Sequence, residues 1–442
     1  MTRVITYGTF DRLHQGHINL LTRAKELGNY LIVGVTADSF DLSRGKINTA
    51  QSLSERIESI KNLDIADEII VEEYEGQKID DIKKYKIDIF AIGSDWEGKF
   101  DYLNDYCKVI YLKRTEGISS SEIRTKDNLL KLGIIGNIKF LEKFEKESNY
   151  VNGIVVEGIC TNSIHDLPKN LSGLNIVTEN YEELLSKVDA IYIVSSPQNH
   201  YSQIYQALIK GKHVLCEAPT ALSIHQYDFL VKLARDNKCI LMDALRTAFS
   251  IAYNRMILLV KSGIIGKVYS IDATCTSLIN DFQGLEDKWN SVCSWGPTAM
   301  LPIFSILGTN YKSLQINSHI INDELMFDSF TNINFTFNNS VASIKVAKGV
   351  KSEGALIISG TEGYVFVPAP WWKTDYFEIR REDSSNNKRY YYNLEGEGLR
   401  YELLYFLKAI KTNNNYYSIP ENITKSIISV IEKFYKKELI QI

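Results

Sequence analysis

Short β-branched runs alternate with amphipathic stretches twice along this chain before the pattern changes, and no other feature constrains its fold as strongly. The first block ends at about residue 125 and holds Val4-Ile5-Thr6-Tyr7, Tyr30 to Val35, Glu68 to Val71, Ile89 to Ile92 and Val109 to Leu112. Parallel strands need long crossovers, so this alternation predicts βα units on a parallel sheet. Between the first two runs, Ile18, Leu20, Leu21, Ala24 and Leu27 keep helical spacing, and Gly28 stands where a helix would stop. The second block starts at Leu132-Gly133-Ile134-Ile135-Gly136 and continues through Ile154-Val155-Val156, Ala190 to Val194, His213 to Cys216 and Ile240-Leu241-Met242. Beyond about residue 246 come period-2 segments: Val268 to Ser277, Phe330 to Phe337, Val341 to Val346, Ala355 to Ser359 and Tyr364 to Val367. They predict one half-buried antiparallel or mixed sheet. Leu399 to Ile410 and Ile423 to Leu439 return to helical periodicity.

The polar stretch Arg124-Thr125-Lys126-Asp127-Asn128 separates the two blocks, which sets expected domains at 1–127, 128–245 and 246–442. The fold class is α/β: two Rossmann-like domains followed by an α+β sheet domain. A chain of 442 residues can bury several cores. Its formal charge of -4 supplies no global field for nucleic acid or an anionic membrane, so anionic small substrates must be met by local cations. The six cysteines show no CxxC pair or metal-ligand spacing, which predicts reduced thiols in a cytoplasmic protein with no bound metal cluster. No signal peptide precedes Arg3 to Tyr7, and no apolar run reaches the roughly 18 residues of a membrane span.

Chemistry concentrates where the first strand should hand over to the first helix, in Gly8-Thr9-Phe10-Asp11-Arg12-Leu13-His14-Gln15-Gly16-His17. Small residues let the backbone approach a phosphate, and a helix N-terminus offers unpaired N–H groups and a positive dipole end. Two imidazoles three residues apart can both donate to the oxygens of a triphosphate and stabilise charge that grows there.

The block from Val4 to about Ile123 resembles the glycerol-3-phosphate cytidylyltransferase family. The resemblance is carried by Ile5 to Asp11, His14 to His17, Gly93-Ser94-Asp95-Trp96-Glu97-Gly98-Lys99-Phe100-Asp101 and Arg114-Thr115-Glu116-Gly117-Ile118-Ser119-Ser120. It implies that Thr9, Phe10, His14, Gly16 and His17 hold the CTP phosphates, with Asp95 also on the nucleotide. Arg114, Thr115, Gly117, Ile118, Ser119 and Ser120 would close over the nucleotide. Lys46 would also meet the CTP phosphates, and Arg44 and Lys78 the acceptor's phosphate. His14, His17, Lys46 and Arg114 are thereby the catalytic set, with Mg²⁺ on the triphosphate. The implied reaction joins CTP to glycerol 3-phosphate or a related polyol phosphate, giving a CDP-polyol for cell-surface polysaccharide or teichoic-acid-like synthesis. Where the family commonly shows Arg-Tyr-Val-Asp this chain reads Asp64-Ile65-Ala66-Asp67, which puts an anion near the presumed acceptor site and keeps longer polyol phosphates in play.

Residues from about 130 to the end resemble the Gfo/Idh/MocA oxidoreductases, through Asp189 to Ile193, Ala207 to Glu217, Ser262 to Val268, Gly360 to Gly363 and Glu395 to Glu402. Working members are expected to carry a G-x-G-x-x-G turn, where this chain has Ile135-Gly136-Asn137-Ile138-Lys139-Phe140. The family's Glu-Lys-Pro reads Glu217-Ala218-Pro219, and alanine cannot transfer a proton. Leu301 and Ser305 stand where the family has an aspartate and a histidine. These losses predict a module inactive in hydride transfer, with doubtful NAD(P) binding. Asn199 and His200 at the cleft, with Trp371, Trp372, Tyr376 and Arg400, are candidates to line a polyol pocket. The alternatives are a bifunctional enzyme whose second module makes the polyol phosphate with NAD(P), and a non-catalytic assembly protein. A homo-oligomer without nucleic-acid partners is expected.

Overall fold

The structure, a computed structural model, describes residues 2–11, 13–37, 51–74, 76–113, 129–136, 138–279, 284–373, 375–392, 394–413 and 419–442. The chain divides into two compact units, Met1–Leu129 and Leu130–Ile442.

In the first unit, β1 (Arg3–Gly8), β2 (Tyr30–Thr36), β3 (Glu68–Glu72), β4 (Ile89–Gly93) and β5 (Lys108–Leu112) form a parallel sheet in the order β3-β2-β1-β4-β5. Alternate side chains feed two apolar layers: Val4, Leu31 and Val33 face Leu21 and Ile60, while Ile5 and Ile32 join Ile82 and Phe90. The helices are α1 (Gln15–Glu26), α2 (Leu53–Lys61) and α3 (Gln77–Tyr85). A capping box of Ser52 and Glu55 starts α2. Glycine is required at Gly34, where a Cβ would sit 2.3 Å from the ring of Tyr7. The strand order turns outward on both sides of the β1–β4 neighbours, and ligands of open parallel sheets bind beyond the carboxyl ends at such a switch point.

The second unit opens with β6 (Leu130–Gly136), α4 (Ile138–Ser148), β7 (Ile154–Cys160), β8 (Ile176–Thr178), α5 (Tyr181–Lys187), β9 (Ala190–Val194), α6 (Pro197–Ile209), β10 (His213–Glu217), α7 (Ile224–Asp236) and β11 (Leu241–Ala244). Its six strands are parallel in the order β11-β10-β9-β6-β7-β8. After α8 (Ile251–Lys261) come β12 (Val268–Thr276), the buried helix α9 (Ser291–Leu307) and a nine-stranded mixed sheet. That sheet adds β13 (Ser313–Asn322), β14 (Phe327–Thr336), β15 (Val341–Ala347), β16 (Leu356–Gly360), β17 (Gly363–Val367), β18 (Tyr376–Arg380), β19 (Lys388–Tyr391) and the short β20 (Ile440–Gln441). Pairing is parallel at β12–β15 and β13–β20 and antiparallel elsewhere. The sequence reading missed β8, β13, β18, β19 and β20. In β13 only Ile316 and Ser318 are buried, so the apolar alternation that marks a strand is weak.

Two closing helices, α10 (Leu399–Thr412) and α11 (Glu421–Tyr435), are tied to the six-stranded layer by buried polar groups. Arg400 pairs with Glu147 of α4, and Asp243 of β11 accepts from Thr424 of α11 at 2.9 Å and from Thr220. Glu402 of α10 is fully buried with neither carboxyl oxygen hydrogen-bonded among the described residues, near Glu217 and Arg246. Tyr192 of β9 donates to Glu217, while Arg246 also faces Glu397. Burial, and after it the charge of Glu217, pushes the Glu402 carboxyl well above its ordinary 4.5, with Arg246 opposing. A carboxyl whose folded pKa exceeds its unfolded one supports folding only while protonated, so stability is lost as pH rises from the unfolded value through the folded one. Glu402→Gln should therefore raise the calorimetric midpoint of this unit at about pH 8, with the gain shrinking towards about pH 5. A gain independent of pH would contradict the buried acid.

Candidate active site

The carboxyl end of β1 runs into a sharp turn. Phe10 takes a left-handed φ of 51°, unusual for a bulky residue, and its ring is buried under the sheet. A Cβ on Gly8 would meet that ring at 3.0 Å. The turn is held from α2 by Arg56, fully buried, whose Nη1 donates to the Thr9 carbonyl at 2.6 Å and the Thr36 carbonyl at 2.9 Å. Asp11 accepts from the Gln51 N–H at 3.0 Å.

His14 is the N-cap of α1, and its Nδ1 accepts from the Gly16 N–H at 3.1 Å. That bond requires an unprotonated Nδ1, so in the neutral ring the proton sits on Nε2. Nε2 is itself buried and without a hydrogen-bond partner among the described residues. Burial holds His14 below the ordinary histidine value of 6.5, which keeps it neutral at physiological pH. His17, in the first turn, stacks on His14 with ring centres 3.8 Å apart and 21° between planes, and meets the edge of Phe10 at 5.5 Å. The first turn of α1 carries no acidic side chain to offset its positive dipole end. Thr9, Phe10, His14, Gly16 and His17 are thus brought together, with the Phe10 ring packed into the core.

The segments after β4 and β5 continue the same edge of the sheet. The backbone of Asp95 follows β4 in a short turn, Ser94–Trp96, at the switch point. Lys113, just past β5, is tied to α1 by a 2.6 Å bond from Arg23 to its carbonyl. Arg44, Lys46, Arg114, Thr115, Gly117, Ile118, Ser119 and Ser120 lie outside the described residues.

Lys78, in the first turn of α3, is buried and paired with Glu72 at the end of β3, over the rings of Tyr7 at 4.6 Å and Phe100 at 5.5 Å. The expectation of an anion at Asp64 beside this site is corrected: Asp64 sits in the turn that leads into β3, and Lys78 follows the strand's opposite end. Asp67 of the same run accepts from the Leu31 N–H at 2.6 Å and pairs with Lys25, a structural role. The sequence reading missed Arg56, Glu72 and Thr36. For Arg56 the signal was present, since it shares the inward face of α2 with Ile60 and a cation there breaks the apolar pattern.

In the second unit the candidate polyol-pocket residues make contacts within the fold. His200 is fully buried with each ring nitrogen 2.9 Å from a backbone carbonyl, of Pro219 and of Ser195. Trp371 packs in the core and donates to the Thr274 carbonyl at 3.1 Å. Trp372 packs beside Trp371 and Trp295, Arg400 is held by Glu147 and Tyr150, and Tyr376 pairs across strands with Tyr391. At the nucleotide crevice, Gly136 has φ of 130° and presses on β9, where a Cβ would lie 2.5 Å from the Ser195 nitrogen. Cys160 at the end of β7 is buried in the core, and Thr161 and Asn162 follow it with no acid. Leu301 is buried in α9, and Ser305 accepts a bond from Tyr253 or donates one to it at 3.2 Å.

Two family models match: "Cytidylyltransferase-like" over residues 5–126, and "Oxidoreductase family, NAD-binding Rossmann fold" over residues 130–244. The class is thus a cytidylyltransferase-like domain in one chain with an oxidoreductase-type module. The glycerol-3-phosphate cytidylyltransferase of Bacillus spizizenii is 52% identical over 124 residues, 28% of this chain and 95% of that protein. The Staphylococcus aureus enzyme of the same name is 49% identical over 124 residues, 28% of this chain and 93% of that protein. Through its first unit the chain belongs to the glycerol-3-phosphate cytidylyltransferase family. The second unit shares its fold with a 3-ketoreductase from Actinomadura kijaniata solved with NADP and TDP-benzene, at TM-score 0.63 and 17% identity over 71% of this chain and 99% of that one.

Arg56→Leu should lower the stability of the first unit by about 2–4 kcal/mol in urea unfolding, because two buried carbonyls lose a charged donor. Glu58→Leu, on the exposed face of the same helix, should leave the transition unchanged.

Proposed function

We propose that the chain transfers the cytidylyl group of CTP to glycerol 3-phosphate or a related polyol phosphate, and that its oxidoreductase-type unit does not transfer hydride. The observation that carries this reading is the stacked His14–His17 pair at the mouth of α1, with a buried, unpartnered Nε2 and no competing acid. An oxygen of the acceptor's phosphate attacks the α-phosphorus of CTP, forming one P–O bond as the bond to the β-phosphate breaks and pyrophosphate departs. The acceptor oxygen already carries charge, so no general base is needed. In this reading Nε2–H of His14 and the ring of His17 donate to triphosphate oxygens, and the positive dipole end of α1 takes up charge on the leaving pyrophosphate. Lys46 and Arg114 supply cations, Thr115, Gly117, Ile118, Ser119 and Ser120 cover the nucleotide with Asp95, and Arg44 and Lys78 take the acceptor's phosphate. A Mg²⁺ ion carried by the triphosphate would neutralise charge on it.

The second unit's residues do not fit a working dinucleotide site: β7 runs out through Ile159-Cys160-Thr161-Asn162 with no acid for the ribose, and Ala218 stands at the position of the transferring lysine. Its six-stranded fold is retained as a scaffold. The free cysteines support a reducing cytoplasmic setting.

Purified chain should release pyrophosphate from CTP with a phosphorylated polyol and leave NAD(P)H absorbance unchanged. His17→Ala should cut the rate at least about 100-fold, the scale of a lost transition-state donor. Because Nδ1 of His14 must stay unprotonated, kcat/KM for CTP should fall only below about pH 6.5, as expected for a histidine held under its usual value. A rate that declines already between pH 8 and 7 contradicts this role.

A further inference from the structure

Thr36 and Glu72 are the last residues of β2 and β3, paired directly across the sheet and both buried. The Thr36 hydroxyl donates to Oε2 of Glu72 at 3.1 Å, and Oε1 of the same carboxylate holds the Lys78 ammonium. The Thr36 carbonyl shares the Arg56 guanidinium with the carbonyl of Thr9. A continuous buried chain therefore runs from the turn at the head of α1, through Arg56, Thr36 and Glu72, to Lys78.

We propose that Thr36 and Glu72 are positioning residues for cytidylyl transfer, setting the acceptor-binding ammonium of Lys78 in register with the triphosphate turn. This rests on the reading of the first unit as a cytidylyltransferase. The two carboxylate oxygens of Glu72 act separately, because Thr36 fixes one and thereby leaves the other to fix the cation. The cation is also confined by the rings of Tyr7 and Phe100, and Tyr7 is set by a 2.8 Å bond from its hydroxyl to Asp81, one turn beyond Lys78 on α3. Ion pairs this deep contribute little stability beyond what apolar residues of similar size would give. What they do supply is a cation at a fixed place, and in-line displacement between two bound phosphates is sensitive to errors of about 1 Å. Glu72 also keeps the buried ammonium compensated until a phosphate arrives.

The test uses the full chain, with pyrophosphate release from CTP and sn-glycerol 3-phosphate. Thr36→Val keeps the shape and removes only the hydroxyl, whereas Thr36→Ser keeps the hydroxyl. Thr36→Val should raise the KM for glycerol 3-phosphate about tenfold, the order expected for one lost buried hydrogen bond to a charged group, with the KM for CTP within about twofold. Thr36→Ser should stay near the wild-type values. Glu72→Gln, which keeps the shape and loses the charge, should give the same split and serves if the valine variant fails to fold. An unchanged acceptor KM in both variants, or equal rises in both KM values, overturns the relay while leaving the cytidylyltransferase reading intact. A wild-type chain that releases no pyrophosphate overturns that reading and the relay with it.

Discussion

A buried guanidinium holding two strand ends together is the interaction on which the first unit's site depends. Carbonyls at the end of a parallel sheet have no further strand to pair with, and in a buried position they need a donor. Arg56 supplies it to Thr9 and Thr36 at once, reaching from α2 across the ends of β1 and β2. The turn it fixes carries Phe10 in a backbone conformation that a bulky residue rarely adopts. From that turn the chain enters α1 with His14 as its cap, and the cap bond in turn selects the tautomer of His14. Sheet, turn, helix start and proton position thus follow one from another.

Much of this was legible in the residues alone. The parallel sheets were readable because β-branched runs such as Tyr30 to Val35 and Ala190 to Val194 alternate with helical spacing, and burial of both faces permits few other arrangements. Gly28 marked the end of α1 to within two residues. The imidazole pair was visible as a spacing, whereas its stacking and the burial of Nε2 depend on three-dimensional packing. Arg56, Thr36 and Glu72 escaped because a buried polar residue looks like a surface one in a linear string. Asp64, read beside Lys78 from the family's motif, lies before β3 while Lys78 follows its far end, a separation that a motif match does not carry. Strands β13 and β19 were missed because their outward residues are polar and their inward ones few.

The second unit separates architecture from chemistry. Its strand order, its mixed sheet and its closing helices are intact, and they are held by polar groups buried deep enough to matter: Asp243 between two threonines, Arg400 with Glu147, and Glu217 with Tyr192. Those groups bind the chain to itself. Ala218 and Leu301 are small or apolar at positions where the resemblance to the oxidoreductases implies a lysine and an aspartate. Fold-maintaining and reaction-bearing residues occupy different places in such modules, so one set can persist after the other has gone.

The contact between Gly8 and Phe10 carries a consequence for how this turn can vary. With the ring only 3.0 Å from where a methyl group on residue 8 would stand, neither position can change size by itself. A larger residue at 8 needs a smaller one at 10, and a smaller residue at 10 leaves a void beside His17. Substitution here must proceed by matched pairs, and single steps along that route pass through a damaged turn.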